Sequence, residues 1–315
     1  GRQRMKRRNY RRVAGAAWNA MQEGGGMVSM KKGVYEEEDT IKLAGMTTLK
    51  AADRAQVIVL GPKKKDVVQF EVVNSRVLMQ NIVFRRFASN HEKLPTPSQD
   101  LIEWNTCIRM AGGLLRAVGC TFESSKGIGC LVGTDSVLQM SRCKVQLCGS
   151  DGIAVMEGGA LTVNDTLVSD NGENGIYVQG KGSIARIYRC NLIKNQENGA
   201  ANLFLGTMFL SNSILQANRK NGLHVCGNRV FVSPWNGVNI NTEAQGEANA
   251  EASKCTFKNN MDNGIHVTMS SKVTLVRCDI VGNQHSGVAV ASSVAKVDAC
   301  RVRQNHRHGI VAKNQ

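Results

Sequence analysis

Proline occurs four times in this 315-residue chain, and aromatic residues make up 5% of it. Together with abundant glycine, this composition speaks against a helical protein. No run of 18 apolar residues occurs, which excludes a membrane-spanning helix. C-x-x-C spacing is absent; Cys143 and Cys148 stand alone, so no metal site and no cofactor are expected. The first residues, Gly1-Arg2-Gln3-Arg4-Met5, carry neither an initiator Met nor an apolar signal region. What is abundant is glycine, 32 residues, a composition that suits many tight turns between short strands.

The formal charge of +15 is unevenly distributed. Residues 1–86 hold 18 Lys/Arg against 8 Asp/Glu, a net of +10, with the sharpest cluster at Arg2, Arg4, Lys6, Arg7, Arg8, Arg11 and Arg12. Such an arm suits a nucleic acid or another acidic surface, or else a solvated linker; of aromatics only Tyr10 accompanies it.

Two columns of residues repeat along the chain. Cys120, Cys143, Thr166, Cys190, Ser213, Cys255, Cys278 and Cys300 form one; Gly152, Gly175, Gly199, Gly222, Gly264, Gly287 and Gly309 form the other. Within each the step is 22 to 24 residues, apart from one step of 42. A fixed period of this length signals a stacked repeat. Six of the ten Cys share one column with Thr and Ser, so that position selects a small side chain, and free thiols in a reducing, intracellular compartment (cytoplasmic or nuclear) are expected. One period reads as three strands: Gly175-Ile176-Tyr177-Val178, then a stretch through Ile184 and Ile187, then Cys190 to Leu192, with turns between. Asn171, Asn195, Asn218, Asn260, Asn283 and Asn305 each lie four residues before a Gly of the second column, where an Asn side chain can bond the backbone of the next coil.

The unit Asn-Gly-Ile-x-Val with Cys/Asn-x-Ile-x-x-Asn resembles the repeats of the pectin-lyase-like right-handed β-helix superfamily. The order of an apolar-periodic stretch over Arg12–Met21, then Gly24-Gly25-Gly26, a strand at Met27–Met30 and Gly33-Val34-Tyr35 is similar to the capping helix and first coil of that superfamily. The expectation is an all-β fold: a right-handed parallel β-helix solenoid, three strands per coil and about 12 coils. A basic arm and capping helix would occupy residues 1–26 and the β-helix residues 27–315, with the open strand at Gly309-Ile310-Val311 suggesting continuation past Gln315. Within the superfamily, Asn174-Gly175-Ile176-Tyr177-Val178-Gln179-Gly180-Lys181-Gly182 is similar to repeats in the β-helix domains of eukaryotic F-box proteins and of an adaptor-binding spindle protein family, which recognise other proteins.

In a solenoid the regular residues build the stack, so function is sought where the period breaks or is decorated. The first break is Phe87–Asp100, with His91 and two of the four Pro. The second is Gly222–Gly264, read as two periods with a strand missing, containing Trp235 and an acidic stretch from Asn241 to Glu251. The decoration is a column following each Gly-aliphatic pair: Ala154, Tyr177, Ala201, His224, Asn239, His266, Ala289 and Val311. Tyr177, His224, Asn239 and His266 then form an outward stripe over a shallow groove, the two His two coils or about 10 Å apart.

Calcium-dependent lyases need clustered acids and glycosidases need paired carboxylates; neither pattern is visible. The Asp-Pro-His motif of β-helix uronate epimerases is also absent. Asp279 beside Arg301 reads as an exposed ion pair. The favoured reading is an interaction module, with Tyr177, His224, Asn239, His266, Trp235 and His91 contacting a protein or glycan partner. The alternative is a lyase, hydrolase or epimerase acting on a polyuronide, with His224, His266 and Tyr177 as its catalytic groups.

Overall fold

A computed structural model describes residues 12–13, 15–17, 25–53, 55–62, 68–86, 105–227 and 247–313. All strand pairings are parallel and join residues about one repeat apart. One coil shows the plan. Ile176–Gln179 belongs to the first sheet, Ile184–Tyr188 to the second and Asn191–Ile193 to the third. Each strand hydrogen-bonds to its counterparts in the coils on either side. The third sheet has eleven strands. The first and second sheets are joined into one ribbon of 20 strands, because Phe70–Gln80 and Ile108–Val118 each run through both without a turn. The described rod therefore has eleven coils, close to the count read from the period. At its start Val13 and Gly15–Ala17 are helical, and Val13 and Ala17 are buried against the core.

Side chains alternate in and out along each strand, and in-register stacking turns every inward position into a column. In the third sheet that column runs Tyr35, Val59, Phe84, Phe122, Val145, Val168, Leu192, Leu215, Phe257, Ile280, Val302. Its few rings stack on one another: Phe84 and Phe122 lie 5.3 Å apart and nearly parallel, with Phe70 edge-on to Phe84 at 5.0 Å. The cysteine column also faces inward, and all ten Cys are free thiols. Each ladder thiol bonds the carbonyl two residues before it, as Cys190 does to Tyr188, and Thr166 and Ser213 do the same with hydroxyls. That shared bond explains why the column exchanges Cys, Ser and Thr.

The asparagine column is an amide ladder. Asn171 donates from Nδ2 to Asn195 Oδ1 at 2.9 Å, Asn195 to Asn218 at 3.0 Å and Asn218 to Asn260 at 3.0 Å. A second ladder, not separated from the turn signal in the sequence, runs three residues further on. Asn263 donates to Asn221, Asn221 to Asn198, Asn198 to Asn174, and Asn174 to Asp151. Each ladder Oδ1 also accepts the backbone N–H of the Asn in the coil before it, as Asn218 does from Asn195, so these side chains bond a neighbouring coil's backbone as expected. The left-handed residue of the turn is the one before each ladder Asn, at Lys194 (φ 57°), Ala217 (φ 56°), Asn259 (φ 53°) and Gly282 (φ 67°). The amide is kept for its hydrogen bonds, and the αL cost falls on a neighbour.

The 42-residue step is resolved differently from the sequence reading. Leu223–Cys226 pairs directly with Ile265–Thr268, and Thr207–Ser211 pairs directly with Asn249–Ser253. Among the described residues there is no extra coil, and the coil at this step has all three strands, Leu223–Cys226, Asn249–Ser253 and Thr256–Lys258. It carries the long stretch between Cys226 and Asn249, and Gly237–Val238 lies outside the described residues. Residues 228–246 of this stretch, and the whole of the other break, Phe87–Asp100, lie outside the described residues.

Candidate functional site

The first sheet's outward column reads Ala154, Tyr177, Ala201, His224, His266, Ala289, Val311 in continuous register. Because the coil at the long step is single, His224 and His266 are on adjacent rungs, not two apart. Their ring centroids lie 5.2 Å apart with planes inclined by 36°. Asn239, Trp235 and His91 lie outside the described residues. Tyr177 sits two rungs from His224, beyond Ala201. The signal that could have shown the pairing is present in the sequence: between Ser213 and Cys255, and between Gly222 and Gly264, both columns skip together, as one insertion requires.

The face is partly closed. Ala154, Ala201, Leu203 and Cys226 point outward from the sheet yet are buried. Near one end Ile128, Leu131 and Ala154 form a small apolar cluster outside the barrel of the coil, and Met156 and Tyr177 pack on it. The Tyr177 hydroxyl donates to Gln179 Oε1. His224 and His266 are half-buried. Burial holds the His266 imidazole below its ordinary pKa, against a weaker opposing pull from Asp262. A neutral imidazole both donates and accepts a hydrogen bond, and it can accept a proton. Asp262 itself contacts His285 Nδ1 at 3.0 Å.

Carboxylates gather at the corner between the third and first sheets without forming a hydrolase pair. Asp151 starts the second amide ladder, its Oδ1 accepting both the Asn174 amide N–H and Nδ2 at 2.9 Å. Burial, then the charge of Glu173, raises its pKa to about 7. Glu173 accepts from Ser150 at 2.8 Å and Glu197 pairs with Lys220. Among the described residues no group of three His, Cys, Asp or Glu is placed to hold a metal ion. No helix there is long and apolar enough to cross a membrane. Asp279 and Arg301 are register neighbours, but the ion pair of Asp279 is to Arg303, at 3.2 Å. A residue two positions along a strand points to the same face, so the longer diagonal reach replaces the direct one.

One further column went unread. The residue before each ladder Cys, Ser or Thr is left-handed and forms the corner between the second and third sheets: Arg142, Asp165, Arg189, Asn212, Lys254, Arg277, Ala299. Their φ angles lie between 49° and 53°, and Gly119, before Cys120, has the same hand at 64°. A corner in this conformation throws its side chain outward, and here the column is rich in Arg and Lys.

No curated protein matches this chain in sequence. Among solved structures, the A-module of the Azotobacter vinelandii mannuronan C-5 epimerase AlgE4 aligns over 95% of this chain and 76% of its own, with 16% identity and a TM-score of 0.61. The Dettilon tailspike protein aligns over 95% of this chain and 64% of its own, at 10% identity and a TM-score of 0.64. PfbA, a surface adhesin of Streptococcus pneumoniae, aligns over 95% and 88%, at 11% identity and a TM-score of 0.51. At these identities the likeness is one of fold. The family profile described as "right handed beta helix region" matches residues 101–233 and 235–315, more than half of the chain, and the protein belongs to that right-handed β-helix family.

Proposed function

We propose that this protein is a carbohydrate-binding β-helix that holds an extended glycan against the outer face of its first sheet. The observation that carries the reading is the His224–His266 pair, two half-buried rings on adjacent rungs at 5.2 Å, with Tyr177 in the same column. Imidazole and phenol groups offer both donors and acceptors to sugar hydroxyls and a flat apolar surface to the ring. Rungs are spaced by about 4.8 Å along the rod, so the column presents them in line, as a linear polymer requires. The fold relatives are consistent with this: one is named for its action on mannuronan and another is an adhesin. The test is binding to a panel of polysaccharides. Tyr177→Ala, His224→Ala and His266→Ala should each weaken a positive interaction about tenfold, the loss of roughly one well-made contact. Absence of any glycan ligand, with capture of a protein that the same substitutions release, would favour the protein-binding role implied by the F-box-type resemblance.

A catalytic version of the same site rests on His266, which burial keeps neutral and able to take a proton. Release of unsaturated products from a polyuronide, abolished by His266→Ala, would establish it. The expected result is binding without turnover.

A further inference from the structure

The basic corner between the second and third sheets is not uniform along the rod. In its first half the charges alternate: Arg189 makes a two-point ion pair with Asp165, at 2.5 and 2.7 Å. In its second half they do not. Lys254 and Arg277 occupy consecutive rungs and are both exposed. The adjoining outer face of the third sheet continues the pattern. Its outward positions there are Thr256, Asp279 and Arg301 in one column and Lys258, Val281 and Arg303 in the other. Of these cations only Arg303 has an ion pair among the described residues, with Asp279; the other carboxylate nearby is Asp298, at the end of the rung after Arg277. Like charges on neighbouring rungs are unfavourable, and backbone register holds Lys254 and Arg277 in that position. A bound anion would relieve that cost.

We propose that Lys254, Lys258, Arg277, Arg301 and Arg303 form a binding site for a linear sulfated polysaccharide lying along the rod. Three features select this ligand. Lys254 and Arg277 stand one rung, about 5 Å, apart in the corner column, and Lys258 and Arg303 two rungs apart in a parallel column with Arg301 between the two columns, so the cations form a band along the rod that suits a single charged chain. Arginine meets the oxygens of an oxyanion with two parallel donors, and sulfate esters stay charged across the working pH range. The only aromatic side chain on these three rungs of the third sheet, Phe257, points into the core, so there is no platform on which bases could stack, which disfavours single-stranded nucleic acid. The site is on a different sheet from the His224–His266 pair and does not depend on the reading given to that pair.

Heparin serves as the probe. Lysine acetylation of the intact protein, read by mass spectrometry with and without heparin, should show Lys254 and Lys258 protected while Lys31 and Lys42 react as before. Lys254→Gln/Arg277→Gln/Arg301→Gln should weaken heparin binding about tenfold and flatten its salt dependence by close to the three contacts removed. Lys50→Gln/Arg76→Gln/Arg116→Gln removes the same charge elsewhere and should change affinity less than about twofold if attraction is local and not a matter of net charge. His224→Ala/His266→Ala should leave heparin binding unchanged, which separates this site from the glycan site above. Equal losses in the two triple variants would overturn the proposal. So would protection confined to other lysines, or tighter binding to duplex DNA or phosphatidylserine vesicles than to heparin with the same lysines protected.

Discussion

Asn218 shows how much a single buried amide carries in this fold. Its Oδ1 accepts the backbone N–H and Nδ2 of Asn195, while its Nδ2 bonds Leu192 O and Asn260 Oδ1. Alanine there would orphan groups on two rungs, each at roughly 1–3 kcal/mol, so Asn218→Ala should lower stability by about 3 kcal/mol or more in urea unfolding. Asp151 is the opposite case, an acid at the end of an amide ladder. Its folded pKa of about 7 lies above the ordinary carboxylate value, so the folded state holds a proton that the unfolded chain releases. The stability linked to that proton is complete below the unfolded pKa, declines as pH rises, and is lost once pH passes about 7. Asp151→Asn keeps the acceptor for Asn174 without the charge. It should remove this decline and raise the unfolding midpoint at pH 8 more than at pH 4, as chemical denaturation at the two pH values would show. Glu173 and Glu197 face the same corner and act in the same direction.

At the scale of the turn and strand, the columns legible in the sequence were those where one residue type does one job. The Gly column is an example. A Cβ on Gly175 would lie 2.5 Å from Gly199 O and 2.8 Å from Asn195 Nδ2, so the close approach of the next coil excludes any side chain. Gly175→Ala should therefore cost about 2 kcal/mol or more by forcing apart backbone that cannot yield, and a lowered thermal midpoint with weakened amide-exchange protection at 175–199 would report it. The corner column was illegible for the converse reason. Its requirement is a backbone conformation, met by Arg, Asp, Asn, Lys and Ala alike, so no single residue type marks it. The inward columns lie between these extremes: period-two alternation placed Ile176 and Val178 inside and Tyr177 outside, as they are. Which outward face stays open was not legible, because burial of Ala201 and Leu203 depends on what lies above the sheet and not on the strand's own pattern.

For the whole rod, register is the property that decides which distant residues meet. Counting residues across the long step placed the two His two rungs apart, whereas pairing Leu223–Cys226 with Ile265–Thr268 joins them. A solenoid tolerates such an excursion because each coil needs only its neighbours, and the cost of closing a longer loop grows slowly with its length. Gly227 still donates its amide to Thr268 O at 3.3 Å, and Asn249 to Gly206 O at 3.1 Å, so the ladder is intact on both sides of the excursion. The next coil makes the same crossing, from Thr268 to Lys272, through Met269, Ser270 and Ser271 alone. Replacing residues 227–248 with a copy of that three-residue turn should leave a folded rod with the same β-sheet circular dichroism and a thermal midpoint within a few degrees of the parent. The His224–His266 contact should survive, because register and not the excursion creates it. Glycan affinity measured on the shortened protein then divides the roles: retention assigns recognition to the column of rings, and loss with an intact fold assigns it to the excursion. Unfolding of the shortened rod would mean that the excursion holds the two halves of the stack together, contrary to the continuous pairing of their strands.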